Sequence, residues 1–110
     1  MNVGHNVQIS TFDADDRVTV DSVGVNNDLS IFTGSNDDVV SISNSEASDG
    51  FFAILGDGDD TLTLSNTYGG SAILDGGNGA FDRVFESGVN FKSETARNFE
   101  PLYPLPWKWF

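Results

Sequence analysis

Short bursts of alternating polar and apolar residues run through most of this chain. Arg17-Val18-Thr19-Val20, Val39-Val40-Ser41-Ile42, Thr61-Leu62-Thr63-Leu64 and Arg83-Val84-Phe85-Glu86 share one layout. Alternation at every second position is the period of a strand with one face buried. The predicted inward set is Val18 and Val20, Val40 and Ile42, Leu62 and Leu64, and Val84. A second series of strands is predicted at Val7-Gln8-Ile9, Leu29-Ser30-Ile31, Phe51-Phe52-Ala53 and Ala72-Ile73-Leu74. Helical periodicity is absent before about residue 90.

The first series recurs at a fixed interval. Val18, Val40, Leu62 and Val84 lie 22 residues apart, and so do Asp16, Asp38, Asp60 and Asp82, two positions ahead of them. Turn and strand chemistry repeating in phase is the mark of a solenoid. The period predicts coils at about residues 10–31, 32–53 and 54–75, with a looser fourth from 76. Each coil should hold an acidic turn, a strand, a polar bend and a second strand. The bends fall at Gly24 to Asn27, Asn44 to Gly50 and Asn66 to Gly70.

Composition narrows the field. A chain of 110 residues makes one small domain. There is no cysteine, so disulfides and thiolate metal sites are excluded, and the single His5 cannot form a histidine cluster. No run of about 20 apolar residues is present to span a membrane as a helix. Met1 to Ser10 lack the basic start and apolar centre of a secretory signal peptide.

Charge is placed, not merely abundant. Residues 1–83 hold 13 aspartates and Glu46 against Arg17 and Arg83, a net −12. Residues 84–110 balance Glu86, Glu94 and Glu100 against Lys92, Arg97 and Lys108. The negative charge therefore belongs to the repeats, and it argues against nucleic acid and anionic lipid as partners.

The turns carry the candidate chemistry. Gly56-Asp57-Gly58-Asp59-Asp60 interleaves glycines with carboxylates just before a strand. Glycine permits a tight turn with φ > 0, and crowded hard oxygens suit Ca²⁺. Stacked parallel strands lie about 4.8 Å apart. The four aspartates at 22-residue spacing thus form a column, with Asp37 and Asp59 beside it. Two bare carboxylates that close repel by roughly 1 kcal/mol in water and about 3.5 at an effective dielectric of 20. The expectation is that cations sit between the rungs.

These residues resemble the calcium-binding RTX (haemolysin-type) nonapeptide repeat, Gly-Gly-x-Gly-x-Asp-x-U-x, where U is apolar. Residues 55–63 match at Gly56, Gly58, Asp60 and Leu62, with Leu55 in place of the first glycine. Residues 33–41 keep Gly34, Asp38 and Val40, with Asn36 in place of a glycine. Residues 76–84 keep Gly76, Gly77 and Gly79, then carry one extra residue before Asp82 and Val84. Residues 11–19 keep only Asp16 and Val18. The family places two nonapeptides in each coil, whereas only one edge matches here. The resemblance implies a one-edged relative, closer to the right-handed parallel β-helices of bacterial surface and secreted proteins. It implies an all-β solenoid of about four coils over residues 1–86, with Ca²⁺ held by Gly34, Asn36, Asp37, Asp38, Gly56, Asp57, Gly58, Asp59, Asp60, Gly77, Asn78, Gly79 and Asp82. It also implies an extracellular location, reached by type I secretion without an N-terminal signal.

Residues 87–110 depart from the repeat and read as an irregular tail, with a helical turn expected at Ser93 to Asn98. The end of the tail combines three prolines with Phe99, Leu102, Tyr103, Leu105, Trp107, Trp109 and Phe110. Proline forbids an interior strand. Three readings stand: a cap over the last coil, a docking arm for a neighbouring chain, or a secretion signal. The second makes these seven residues an interface and the chain its own partner, joined head to tail.

Catalysis is not expected. No nucleophile–base pair is in phase, and Arg17 and Arg83, the basic residues beside the aspartate column, lie 66 residues apart. The reading is a calcium-stabilised structural solenoid: a scaffold, an adhesin segment or a filament subunit. The alternative is a carbohydrate-binding or polysaccharide-lyase-like β-helix module, with a surface polysaccharide as partner and Tyr68 or Phe85 lining its face.

Overall fold

A computed structural model describes residues 2–79 and 81–99. It is an all-β, parallel β-solenoid of about four coils at about 22-residue spacing, without helices among the described residues. One wall is a four-stranded sheet of β3 (Arg17–Asp21), β6 (Val39–Ser43), β8 (Thr61–Ser65) and β10 (Arg83–Ser87). Register is unbroken along it: Arg17, Val39, Thr61 and Arg83 stand in one row, and Val18, Val40, Leu62 and Val84 in the next.

The other wall is a seven-stranded sheet. It contains β1 (Asn2–Val3), β2 (Val7–Ser10), β4 (Gly24–Val25), β5 (Asp28–Phe32), β7 (Glu46–Ile54), β9 (Tyr68–Asp75) and β11 (Asn90–Arg97). β4 pairs with the start of β7, and β5 pairs with its end. A short strand, separate as β1 and β4 and continuous with the second strand in β7, β9 and β11, therefore stands where the sequence predicts only a bend at 24–27, 44–50 and 66–70. Backbone pairing to the coil above and below supplies the reason, because polar bend residues stacked in register form ladders as readily as apolar ones.

The corner into that short strand has its own signature. Ser22, Asn44, Asn66 and Gly88, spaced by 22, have φ of 58°, 51°, 48° and 65°. Asn and Gly are the residues that tolerate this left-handed region best. Asn66 Nδ2 donates to Asn44 Oδ1 at 3.3 Å, and Asn44 Nδ2 to Asp21 Oδ1 at 3.1 Å.

The core lies between the walls. Val18, Val20, Val40, Ile42, Leu62, Leu64 and Val84 are buried as the alternation predicts, against Leu29, Ile31, Phe51, Ala53, Ala72 and Leu74 from the opposite wall. Large and small side chains alternate along the stack. Phe51 packs beside Phe91 with ring centroids 5.2 Å apart, and Ala72 follows Phe51 in the next coil.

Two departures from the sequence reading concern spacing. The 22-residue period slips within the third coil: Ala47 pairs with Gly69, but Gly50 pairs with Ser71 and Phe51 with Ala72. One residue is missing at the bend. The extra residue before Asp82 restores phase, since Asp60 again meets Asp82 at a separation of 22. Ser93 to Asn98, expected as a helical turn, lies mostly in β11, which pairs with β9 from Asn90 to Arg97. Of the predicted tail interface, Phe99 is buried in the core. Leu102, Tyr103, Leu105, Trp107, Trp109 and Phe110 lie outside the described residues.

Candidate functional site: the stacked aspartate edge

The acidic turns join each second strand to the first strand of the next coil, and they stack along one edge. Gly34, Asn36, Gly56, Gly58 and Gly77 have φ of 85°, 80°, 84°, 113° and 75°. At Gly56 the need is twofold. A Cβ there would lie 1.9 Å from the Gly34 carbonyl oxygen. That same oxygen accepts the Asp57 N–H at 2.8 Å. Glycine thus lets adjacent turns approach closely enough to hydrogen-bond backbone to backbone.

The first turn has the same backbone shape without glycine. Phe12 (φ 70°) and Ala14 (φ 98°) occupy the places of Gly34 and Asn36. Side chains other than Gly, Asn and Asp avoid this region, so the first turn carries strain that the later ones lack.

Each turn ends in two consecutive aspartates that do different things. The outer members, Asp15, Asp37 and Asp59, are exposed, while Asp38, Asp60 and Asp82 are buried and Asp16 is half-buried. On the inner row, the N–H groups of Asp16, Asp38 and Asp60 donate to Oδ1 of Asp38, Asp60 and Asp82, each at 2.8 Å. On the outer row the direction reverses. The N–H groups of Asp37, Asp59 and Phe81 donate to Oδ1 of Asp15, Asp37 and Asp59 at 2.9, 2.8 and 3.1 Å. Inner carboxylates reach back one coil and outer ones reach forward. Successive turns are therefore clasped by two opposed hydrogen bonds. On the buried inner row, bonds to a charged acceptor contribute about 1.5–3 kcal/mol each, and the exposed outer row contributes less.

The sequence column thus corresponds to carboxylates aimed at amides as well as stacked on one another. The doublets Asp15-Asp16, Asp37-Asp38 and Asp59-Asp60 were the available signal. Of the remaining predicted ligands, Asp57 is exposed and accepts Asn78 Nδ2 at 3.1 Å, and Gly79 stacks over the Gly58 carbonyl.

Burial dominates the electrostatics of the inner row. It pushes the Asp60 carboxyl up to about 7, only partly opposed by the Asp38 N–H, and the charges of Asp38, Asp82 and Asp37 add to the rise. Asp38 is raised too, chiefly by burial, while the Asp16 N–H and the Thr33 hydroxyl pull it down. At the same place in the next coil stands Leu55, which offers no hydroxyl. Asp75, at the foot of the last turn, behaves oppositely. Burial raises it, yet Asn98 Nδ2, the Gly77 N–H and Arg97 Nε, at 2.7, 2.8 and 3.0 Å, together hold it below the usual range.

Cation fit can be judged from the oxygens left over. Oδ2 of Asp16, Asp38 and Asp60 is buried without a hydrogen-bond partner. A buried carboxylate oxygen in that state needs a proton or a cation. The donors are hard oxygens, which suits Ca²⁺. Among the described residues, however, no three Asp, Glu or His side chains gather closely enough to hold an ion. A cation on this edge would have to draw on turn carbonyls and water beside one or two carboxylates.

No family model, characterised protein or solved structure matches the chain.

Proposed function

We propose that this chain is a structural β-solenoid, a self-supporting scaffold segment of an extracellular or cell-surface protein, whose acidic edge is stiffened by divalent cations. The observation that carries the reading is the row of buried, partnerless Oδ2 atoms on Asp16, Asp38 and Asp60. Calcium, when bound, supplies positive charge to that row and lowers the repulsion between stacked carboxylates. The residues around it do the rest. Inner aspartates hold the turn amides of the preceding coil, outer aspartates hold those of the following coil, and the left-handed glycines bring the turns into contact.

A scaffold role also agrees with how the walls are built. Among the described residues, β3 and β10 pair on one side only, with β6 and β8. Their open edges offer backbone groups for strand addition by a further coil or a second copy of the chain. Repetition of such a contact along one axis gives filaments.

Thermal melts by circular dichroism in EGTA, Ca²⁺ and equal Mg²⁺ test the cation, and native mass spectrometry of the same samples reads ion count and assembly together. Calcium should raise the melting point more than magnesium does, with whole ions bound per chain. Identical melts in EGTA and calcium would remove the cation from the proposal. A monomer at all concentrations would remove the filament.

A further inference from the structure

The bend between short and second strands is not uniform along the solenoid. In the second coil it is filled by Ser48 and Asp49. In the third coil one residue is gone and Gly69-Gly70 pass beneath, so close that a Cβ on Gly70 would lie 2.3 Å from the Asp49 carbonyl oxygen. In the fourth coil Lys92 stands at this level. The glycine pair has no side chain to fill the space, and an open notch of about 400 Å³ results, lined by Glu46, Ser48, Tyr68, Gly69, Asn90 and Lys92.

The lining is ordered by the ladder. Glu46 pairs with Tyr68, and Tyr68 with Asn90, so a carboxylate, a phenol ring and an amide stand in one row on three successive coils. Strand spacing puts about 4.8 Å between neighbours in that row. Tyr68 is 50% exposed, and its backbone is paired with β7 on one side and β11 on the other. Glu46 and Lys92 give the notch one charge of each sign, on a chain whose net charge is −12. It is thus a neutral patch, rich in hydrogen-bonding groups, on an acidic surface.

We infer that this notch is a binding site for a saccharide. An aromatic face offers apolar contact to the C–H side of a pyranose ring. A carboxylate and an amide flanking the ring accept from and donate to neighbouring hydroxyls, and Ser48 and Lys92 add a hydroxyl and an ammonium at the far side. The chain's net charge of −12 disfavours nucleotide ligands, which carry phosphate, and the small open volume suits one or two sugar rings better than a folded partner. None of the turn aspartates lines the notch, so the site is separate from any cation bound on that edge.

NMR titration of ¹⁵N-labelled full chain with cellotetraose, chitotetraose, xylotetraose and tetragalacturonate tests this directly. At least one should shift the amides of Ser48, Tyr68, Gly69, Gly70 and Lys92 at millimolar concentration. Tyr68→Ala should weaken that binding at least tenfold, Tyr68→Phe should retain it, and Phe85→Ala, altering another exposed aromatic, should leave it unchanged. Unchanged melting of all three variants shows that the fold is intact. No shift at the notch with any of the four sugars, or loss with Phe85→Ala equal to that with Tyr68→Ala, overturns the assignment.

Discussion

The backbone N–H of Asp38 donates to Oδ1 of Asp60 on the next coil at 2.8 Å, with both side chains closed off from solvent. One carboxylate therefore serves three purposes at once. It satisfies a buried amide, fixes the register of two coils, and brings a charge into the interior.

That charge makes stability depend on pH. The folded-state value for Asp60 lies at about 7, above its ordinary 3.8. Between these values the folded chain binds more protons than the unfolded one, so stability falls as pH rises through that window. In EDTA, denaturation at pH 8 should show a loss on the order of 2–4 kcal/mol relative to pH 5. Asp60→Asn, which keeps the acceptor oxygen, should flatten the slope. Asp75, held low, works the other way: its contribution is present above pH 4 and disappears as pH falls below that. Urea titrations across pH 3–8 should therefore show a maximum at about pH 4 and a decline from there toward pH 7.

Removing the acceptor itself is a different matter. Asp60→Ala strands the buried Asp38 N–H, which is worth about 1–3 kcal/mol. Asp15→Ala exposes the Asp37 N–H to water and should change the urea midpoint by well under half of that.

The turns predict opposite outcomes for glycine added and glycine removed. Gly56→Ala combines a left-handed φ of 84° with a contact of 1.9 Å to backbone, and should be among the most destabilising changes in the chain. Phe12→Gly relieves a left-handed φ of 70° at a side chain that is 72% exposed. It should stabilise the chain by about 1 kcal/mol. A melting point lowered by Phe12→Gly would show that the first turn is not strained.

Phe99 sits in the core. Phe99→Ala should lower the melting point, because burying a Phe contributes about 1.5–3 kcal/mol. A melting point unchanged by Phe99→Ala would contradict its burial.

The sequence by itself determined the period, the strands of the four-stranded wall and their inward residues. Alternation and the 22-residue spacing are properties of single residues, such as Val40 and Leu62, repeated in phase. It also determined where the backbone turns tightly, because Gly56, Gly58 and Asn36 announce left-handed φ. The tertiary structure alone decided what the aspartates face. An Asp at position 60 reads the same whether its oxygens meet a cation or the Asp38 amide, and only the stacking of coils says which amide arrives. The same holds for β11. Asn90–Arg97 shows little apolar alternation of its own, and it is a strand because β9 presents an open edge to it. The missing residue at Gly70 and the extra one before Asp82 likewise look unrelated in sequence. They belong together because one coil must return in register with the next before the inner row of aspartates can close.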